Sequence, residues 1–438
     1  AQASFTPHVA SKEKMARTSE VLRRSHICTP KGAQVAKVVG AICIGFVLLG
    51  VIAALLFIAT RPSGSSRLFS CSSDLVLGPV SKPASKGLCV DDTTFSVCPS
   101  MIPSLWPNTN EPVSSLRLFA PWKAEWPEFM RERAWDELKY HLEANDVKVL
   151  LGCEITCNET ADAIVWEWTK QLLRKLGPDR LMGLAIGNEM DLLFSKAPEF
   201  RPPGCLQRLW NQNGFISTFL ARIQELDAVV PGFNNVPVMS VWSTYCFAGE
   251  PFVDSDNAKC LTFFREATGR YGNRFVFAFN IYPYFDPGNH CDPGTNDKCT
   301  QALKRNVCFD SSCFTNALGA EARDRMQRLL GTDDYRLWVG ESGWSSPVSS
   351  TTQEWMKSCP EWSSMEVFRK NYDGWLNWDL SVGNGKKPAD HAFYFTMRDA
   401  LNFGQEEHFG LIEHCGSQRC KLGGAANTTS FNESAISV

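Results

Sequence analysis

The chain has 438 residues, a formal net charge of −3, 44% apolar residues and 11% aromatic residues, 14 of them Trp. The apolar share is enough for a sizeable core, and the small net charge gives no global electrostatic reason for a nucleic-acid partner. The length accommodates two or three average domains, or a single α/β barrel with insertions.

Residues 1–37 are polar and basic and read as a disordered cytosolic tail. Val38–Ala59 is a run of 22 residues without a charge, long enough to cross the hydrocarbon core as one helix. A signal peptide's apolar region is shorter and nearer the N-terminus, so a retained anchor is expected. Lys12, Lys14, Arg17, Arg23, Arg24, Lys31 and Lys37 precede the run against Glu13 and Glu20, whereas only Arg61 and Arg67 follow closely. The positive-inside bias predicts a single-pass type II protein. Its bulk would be extracellular or lumenal, at the plasma membrane or in the secretory pathway, with the lipid bilayer as a partner. Residues 60–88, rich in Ser, Pro and Gly, read as a stalk, and 416–438 as a flexible C-terminal tail.

Fifteen of the 17 Cys follow the apolar run, several close together: Cys153 and Cys157, Cys291 and Cys299, Cys308 and Cys313, Cys415 and Cys420. An oxidising compartment would turn such pairs into disulfides. The His residues are not spaced with them for zinc, and neither a metal nor a cofactor is expected. Asn-x-Ser/Thr sequons begin at Asn158, Asn427 and Asn432, all on the predicted outer side.

Between Cys89 and Cys415, short apolar or β-branched runs alternate with amphipathic segments. The strand candidates are 93–97, 115–121, 147–153, 181–189, 236–242, 274–284, 336–344 and 391–397. Several are apolar throughout, which suits strands buried on both faces. Helices are expected over 133–144, 161–176, 215–230 and 320–330. Eight strands with interposed helices predict a (β/α)8 TIM barrel over 89–415, with a doubly wound open sheet as the alternative.

Active sites of such barrels lie at the C-terminal ends of the strands. Glu189 closes the fourth candidate strand and Glu341 the seventh, each after an apolar run in which a carboxyl is costly to bury without compensation. Strands four and seven face each other across the barrel mouth. Two carboxyl groups placed there suit glycoside hydrolysis, where one acts as nucleophile and the other as acid and then base.

The runs RLF (117–119), VKVLLG (147–152), AIGNEM (185–190), NIYPYF (280–285), VGESGWSS (339–346) and EHFGLI (407–412) occur in this order. Together they resemble the strand motifs of glycoside hydrolase family 17, the β-1,3-glucanases. The resemblance implies a retaining (β/α)8 hydrolase of β-glucan, with Glu189 as acid/base and Glu341 as nucleophile. It further implies that Asn188 bonds the sugar 2-hydroxyl, that Tyr282 holds the Glu341 carboxylate, and that Glu407 organises the acid/base side. Tyr284, Trp344 and Phe119 would line sugar subsites. The sequence departs from the family where Ser345 follows Trp344 in place of Pro, and where Ala400 replaces a Glu after Asp399. A cysteine-rich insertion over 286–314 follows the sixth strand. A β-glucan transglycosylase and a non-catalytic glucan-binding receptor remain the competing expectations.

Overall fold

Apolar strands separated by amphipathic helices can bury both faces of a parallel sheet only if the helices cover it, and one stable solution is closure of the sheet into a barrel. The computed structural model has that architecture. It describes residue 71 and residues 75–193, 204–255, 258–285, 297–347, 359–402, 405–417 and 419–423. The chain divides into two units, Ala1–Arg67 and Leu68–Val438, and the described residues belong to the second. The expected membrane helix Val38–Ala59, Cys291, and the sequons at Asn427 and Asn432 lie outside the described residues. Among the described residues no helix is long and apolar enough to cross a membrane.

Eight parallel strands form the barrel: β1 (Lys86–Val90), β2 (Ser115–Leu118), β3 (Lys148–Cys153), β4 (Leu181–Asn188), β5 (Val238–Ser243), β6 (Phe277–Asn280), β7 (Leu337–Ser342) and β8 (His391–Tyr394). Each pairs with the next, and β1 also pairs with β8, through Leu88 beside Tyr394, so the sheet has no edge. This is a (β/α)8 barrel. A short antiparallel pair, β9 (Ala400–Asn402) and β10 (Gln405–Glu407), follows β8. The expected helices are present as Glu128–Ala144, Glu159–Leu176, Gly214–Val229 and Phe314–Leu330. Cys260–Tyr271, Lys298–Asn306 and Met365–Asn377 are further helices.

The first strand is not where the β-branched run TTFSV suggests. Asp92–Val97 is a helix, capped by Asp91, whose carboxylate accepts from the Thr94 amide at 2.7 Å. The strand is Lys86–Val90, which begins in the stretch read as stalk and crosses the expected domain boundary. Lys86 is fully buried there, and its ammonium donates to the carbonyls of Trp375 and Leu376 at 2.8 and 2.7 Å. Leu77 and Val80 are buried as well. The barrel unit therefore begins well before Cys89.

Five disulfides join the described cysteines: Cys71–Cys420, Cys98–Cys415, Cys157–Cys205, Cys299–Cys359 and Cys308–Cys313. Of the pairs suggested by proximity, Cys308–Cys313 forms. Cys415 and Cys420 instead bond to the N-terminal side of the domain, Cys157 and Cys299 to more distant partners, and Cys153 is a buried free thiol. The start of the expected C-terminal tail is also built in. The Lys421 ammonium lies 2.5 Å from the Asp399 carboxylate and donates to the carbonyls of Ser346 and His408, both at 2.7 Å.

Candidate active site

At the C-terminal end of β4 the backbone leaves regular strand geometry. Its register with β5 shifts between Ala185 and Asn188, Gly187 has φ 81°, and Glu189 itself is left-handed at φ 48°. A non-glycine residue in that region is held there by its surroundings, here partly by its amide, which donates to the Val241 carbonyl at 2.7 Å. The kink turns the Glu189 carboxyl toward β6 and β7. Glu341 lies within β7, beside Asn280 of β6 in the register, and is only 6% exposed.

One side chain connects the two carboxyls. The Asn280 amide nitrogen donates to Glu189 Oε1 at 2.9 Å and to Glu341 Oε1 at 2.8 Å. Those two bonds, 2.9 and 2.8 Å through one nitrogen, hold the two oxygens no more than about 5.7 Å apart. Glu341 has further partners. Arg117 Nη1 of β2 forms an ion pair with its Oε1 at 2.9 Å, and the Tyr282 hydroxyl donates to its Oε2 at 2.7 Å. Arg117 also donates to Asn188 Oδ1 at 2.8 Å and to Asn280 Oδ1 at 3.2 Å. Both Glu341 oxygens are thus fixed, and its charge is countered by a guanidinium that is almost fully buried.

The two carboxyls have different surroundings. Burial pushes Glu189 up to about 7, the adjacent Glu341 charge pushes the same way, and the Asn280 hydrogen bond pulls it part of the way back. Glu189 therefore stays partly protonated near neutral pH, where an ordinary carboxyl is fully ionised. Burial, and then the Glu341 charge, push the Tyr282 hydroxyl well above its ordinary range, so it remains a donor. Asp191, fully buried two residues past Glu189, accepts from the Ser243 hydroxyl and amide at 2.6 and 3.2 Å, and burial pushes it up to about 6.

Gly340 is required by this packing. A Cβ there would lie 2.6 Å from Val241 Cγ1, 2.7 Å from Asn280 Oδ1 and 3.0 Å from Arg117 Nη1. The absent side chain leaves the space in which the Arg117–Asn280 pair crosses the barrel interior.

The structure brings together Glu189, Glu341, Asn188 and Tyr282. Phe119 is near them and half-buried, with the Arg117 guanidinium 4.6 Å from its ring centroid, and it lines a small pocket with Arg117, Glu154 and Asn188. Tyr284 and Trp344 do not line a cleft. Both are fully buried. The Tyr284 hydroxyl lies 3.0 Å from Ser363 Oγ, and the Trp344 indole donates to the Trp362 carbonyl at 2.6 Å. Their rings pack edge-to-face against each other at 5.3 Å, as core material. Glu407 is half-buried on β10, opposite Ala400 of β9. Asp399, left without a following Glu, pairs with Lys421. Asn158 is exposed, and its side-chain oxygen caps the helix Glu159–Leu176 by accepting from the Ala161 amide at 3.1 Å. Its amide nitrogen is the atom a glycan would use.

Sequence reasoning assigned no role to Arg117 or Asn280. Each left a trace, a charge inside the apolar run SLRLFA and an amide at the end of FVFAFN. A polar side chain in a strand buried on both faces points into the barrel or pairs with something that does.

No family model matches the chain, and no curated protein matches it in sequence. Solved structures do resemble it. One is a plant β-glucan endohydrolase, at 15% identity over 75% of this chain and 96% of that chain, TM-score 0.47. Another is the β-1,3-glucanase and pollen allergen of Cryptomeria japonica, at 15% over 75% and 95%, TM-score 0.49. A third is an endo-laminarinase from Formosa Hel1_33_131, at 13% over 70% and 76%, TM-score 0.43. Likenesses this distant carry no argument about activity, which rests on the site itself.

Proposed function

We propose that the chain is a retaining β-glycosidase acting on β-glucan by double displacement, with Glu341 as nucleophile and Glu189 as acid and then base. The observation that carries this reading is the single amide nitrogen shared by the two carboxyls. Retaining glycosidases hold their carboxyl groups about 5–5.5 Å apart, and inverting ones about 6.5–9.5 Å, to admit a water. A shared donor favours the closer class.

The division of roles follows from the surroundings. Glu189, raised to about 7, keeps the proton that the departing glycosidic oxygen needs. Glu341 attacks the anomeric carbon with its carboxylate oriented by Arg117, Asn280 and Tyr282. Formation of the ester removes the Glu341 charge, and with it one cause of Glu189's raised pKa. Glu189, now deprotonated, is then the better placed to take a proton from the incoming water. Asn188, whose Oδ1 accepts from Arg117, takes the role that the family-17 motif implies for it, bonding the sugar 2-hydroxyl. The β-1,3 linkage is proposed from the family-17 motifs alone.

We further propose that Val38–Ala59 anchors this domain at an extracellular or lumenal membrane face, and that Asn158 carries a glycan there. The charge asymmetry around the apolar run supports the topology, and five disulfides among the described residues suit an oxidising compartment.

The test is to incubate the full chain with β-1,3-, β-1,4- and mixed-linkage glucans, follow the product anomer by NMR and size the products. β-Anomer appearing first is the expected result, and Glu341→Gln abolishes turnover while glucan binding persists. Products longer than the substrate would identify a transglycosylase. Absence of turnover on every β-glucan would leave only a binding protein.

A further inference from the structure

Four buried thiols remain among the described cysteines after the five disulfides: Cys89, Cys153, Cys246 and Cys260. Two of them face groups other than sulfur. Cys89 lies 3.9 Å from the Gly340 carbonyl, and Cys153 accepts from Arg222 Nη1 at 3.2 Å. The other two face each other, and Cys246 also bonds the Asp191 carboxyl. Cys246 lies in the turn Thr244–Ala248 after β5, Cys260 opens the helix Cys260–Tyr271, and their sulfurs are 2.8 Å apart.

That separation decides between three states. Unbonded carbon atoms pack at about 3.5–4.0 Å, and sulfur is larger, so two free thiols do not rest at 2.8 Å. Zinc binds thiolates at about 2.3 Å in a tetrahedral shell, which sets two sulfurs about 3.8 Å apart. The pair is too close for that as well. A disulfide, at about 2.05 Å, is the state this separation approaches most nearly. The backbone around the pair is already pinned. The Val253 amide donates to the Cys246 carbonyl at 3.0 Å, the Leu261 amide to the Val253 carbonyl at 3.2 Å, and Asp254 forms an antiparallel bridge with Lys259.

We infer that Cys246 and Cys260 form a sixth disulfide, closing the β5–α loop at the rim of the barrel. The bond forms by exchange with a disulfide-bearing oxidant, either a small-molecule disulfide or a dithiol oxidase. One thiolate displaces a thiolate from the oxidant and forms a mixed disulfide. The second cysteine thiolate then displaces the other. Two electrons pass from the cysteines to the oxidant, whose two sulfurs leave as thiols carrying the two protons. Burial pushes both cysteine thiols up, which disfavours the attacking thiolate in the closed protein. Oxidation therefore accompanies folding, and the finished bond is shielded from reductants.

Ser243, at the end of β5 and three residues before Cys246, lies just outside the closed loop, and its hydroxyl and amide hold Asp191 two residues past Glu189. The staple thus closes a loop that adjoins the support of the strand end carrying Glu189.

The test is to take the full-length chain from an oxidising secretory compartment, denature it in iodoacetamide without reductant, and map its peptides by mass spectrometry. A linked Cys246–Cys260 peptide pair, two hydrogens lighter than the sum of its parts, with Cys89 and Cys153 alkylated, is the expected result. Alkylation of both Cys246 and Cys260, a link from either to another cysteine, or one equivalent of bound zinc overturns the inference. The map needs only the unmodified protein, so it decides the matter even if variants fold poorly. Where the double variant Cys246→Ser/Cys260→Ser folds, its melting temperature falls by several degrees. An unchanged melting temperature counts against the staple.

Discussion

Asn280→Ala isolates the most unusual contact of the site. The substitution removes the donor shared by Glu189 and Glu341, at 2.9 and 2.8 Å, and leaves Glu341 its bonds to Arg117 and Tyr282. The larger effect therefore falls on Glu189. The lost bond stabilises the Glu189 carboxylate and pulls its pKa down. Without it the protonated form persists to higher pH. A hydrogen bond to a charged group contributes about 1.5–3 kcal/mol, and a pKa unit corresponds to about 1.4 kcal/mol, so the expected rise is about one to two units. Glu189 must be protonated for the first chemical step, so the descending limb of the kcat/KM profile, near pH 7 in the unmodified protein, moves up by that amount. The carboxyl also loses a geometric constraint, and a misplacement of about 1 Å costs on the order of 100-fold in kcat. The assay is initial rates on an aryl β-glucoside or a short β-glucan, measured across the pH range at several substrate concentrations. A limb that stays in place or moves down, or an effect confined to KM, refutes the reasoning.

The other expectations concern groups around this contact. Gly340→Ala places a methyl group against Val241, Asn280 and Arg117, and lowers kcat by about 100-fold with KM nearly unchanged. Full activity in that variant would show that the Arg117–Asn280 pair is not positional. Trp344→Ala destabilises the fold by about 3–5 kcal/mol because the ring is core, and where the variant folds its KM is unchanged. A raised KM with an unaltered melting temperature would instead make Trp344 a sugar platform. Burial pushes His391 from 6.5 down to about 3. The folded state keeps it neutral while the unfolded chain takes up a proton below pH 6.5, so this site costs stability progressively as pH falls from about 6.5 toward 3. His391→Gln should flatten the loss of urea resistance between about pH 7 and pH 5, and an unchanged slope would sink that assignment.

The two carboxyls were legible in the sequence because each ends a run too apolar to hold an isolated charge. Seven of the eight strands were legible for a related reason, since a strand buried on both faces is apolar over most of its length. β1 was hidden by Lys86, whose partners are the carbonyls of Trp375 and Leu376, nearly 300 residues away. The run TTFSV was misleading because its β-branched residues suit a strand, while one capping carboxylate, Asp91, sets a helix. Disulfide partners were illegible because most are distant in sequence, with separations of 48, 60, 317 and 349 residues. Tyr284 and Trp344 show that an aromatic residue at a strand end carries no mark of whether it faces sugar or protein. Asn280 shows the reverse case, a residue whose position is plain and whose partners appear only once the barrel closes.

The bonds Cys71–Cys420 and Cys98–Cys415 tie the first turns of the domain to its last, spanning 349 and 317 residues. The barrel polypeptide is thereby a covalent ring. A protease that cuts any loop between Cys98 and Cys415 opens the ring without releasing a fragment, and both halves of the sheet stay on one molecule. Such nicking would pass unseen on a non-reducing gel and appear only after reduction. A circularly permuted chain with new ends in one of those loops would inherit the same closure from its sulfurs.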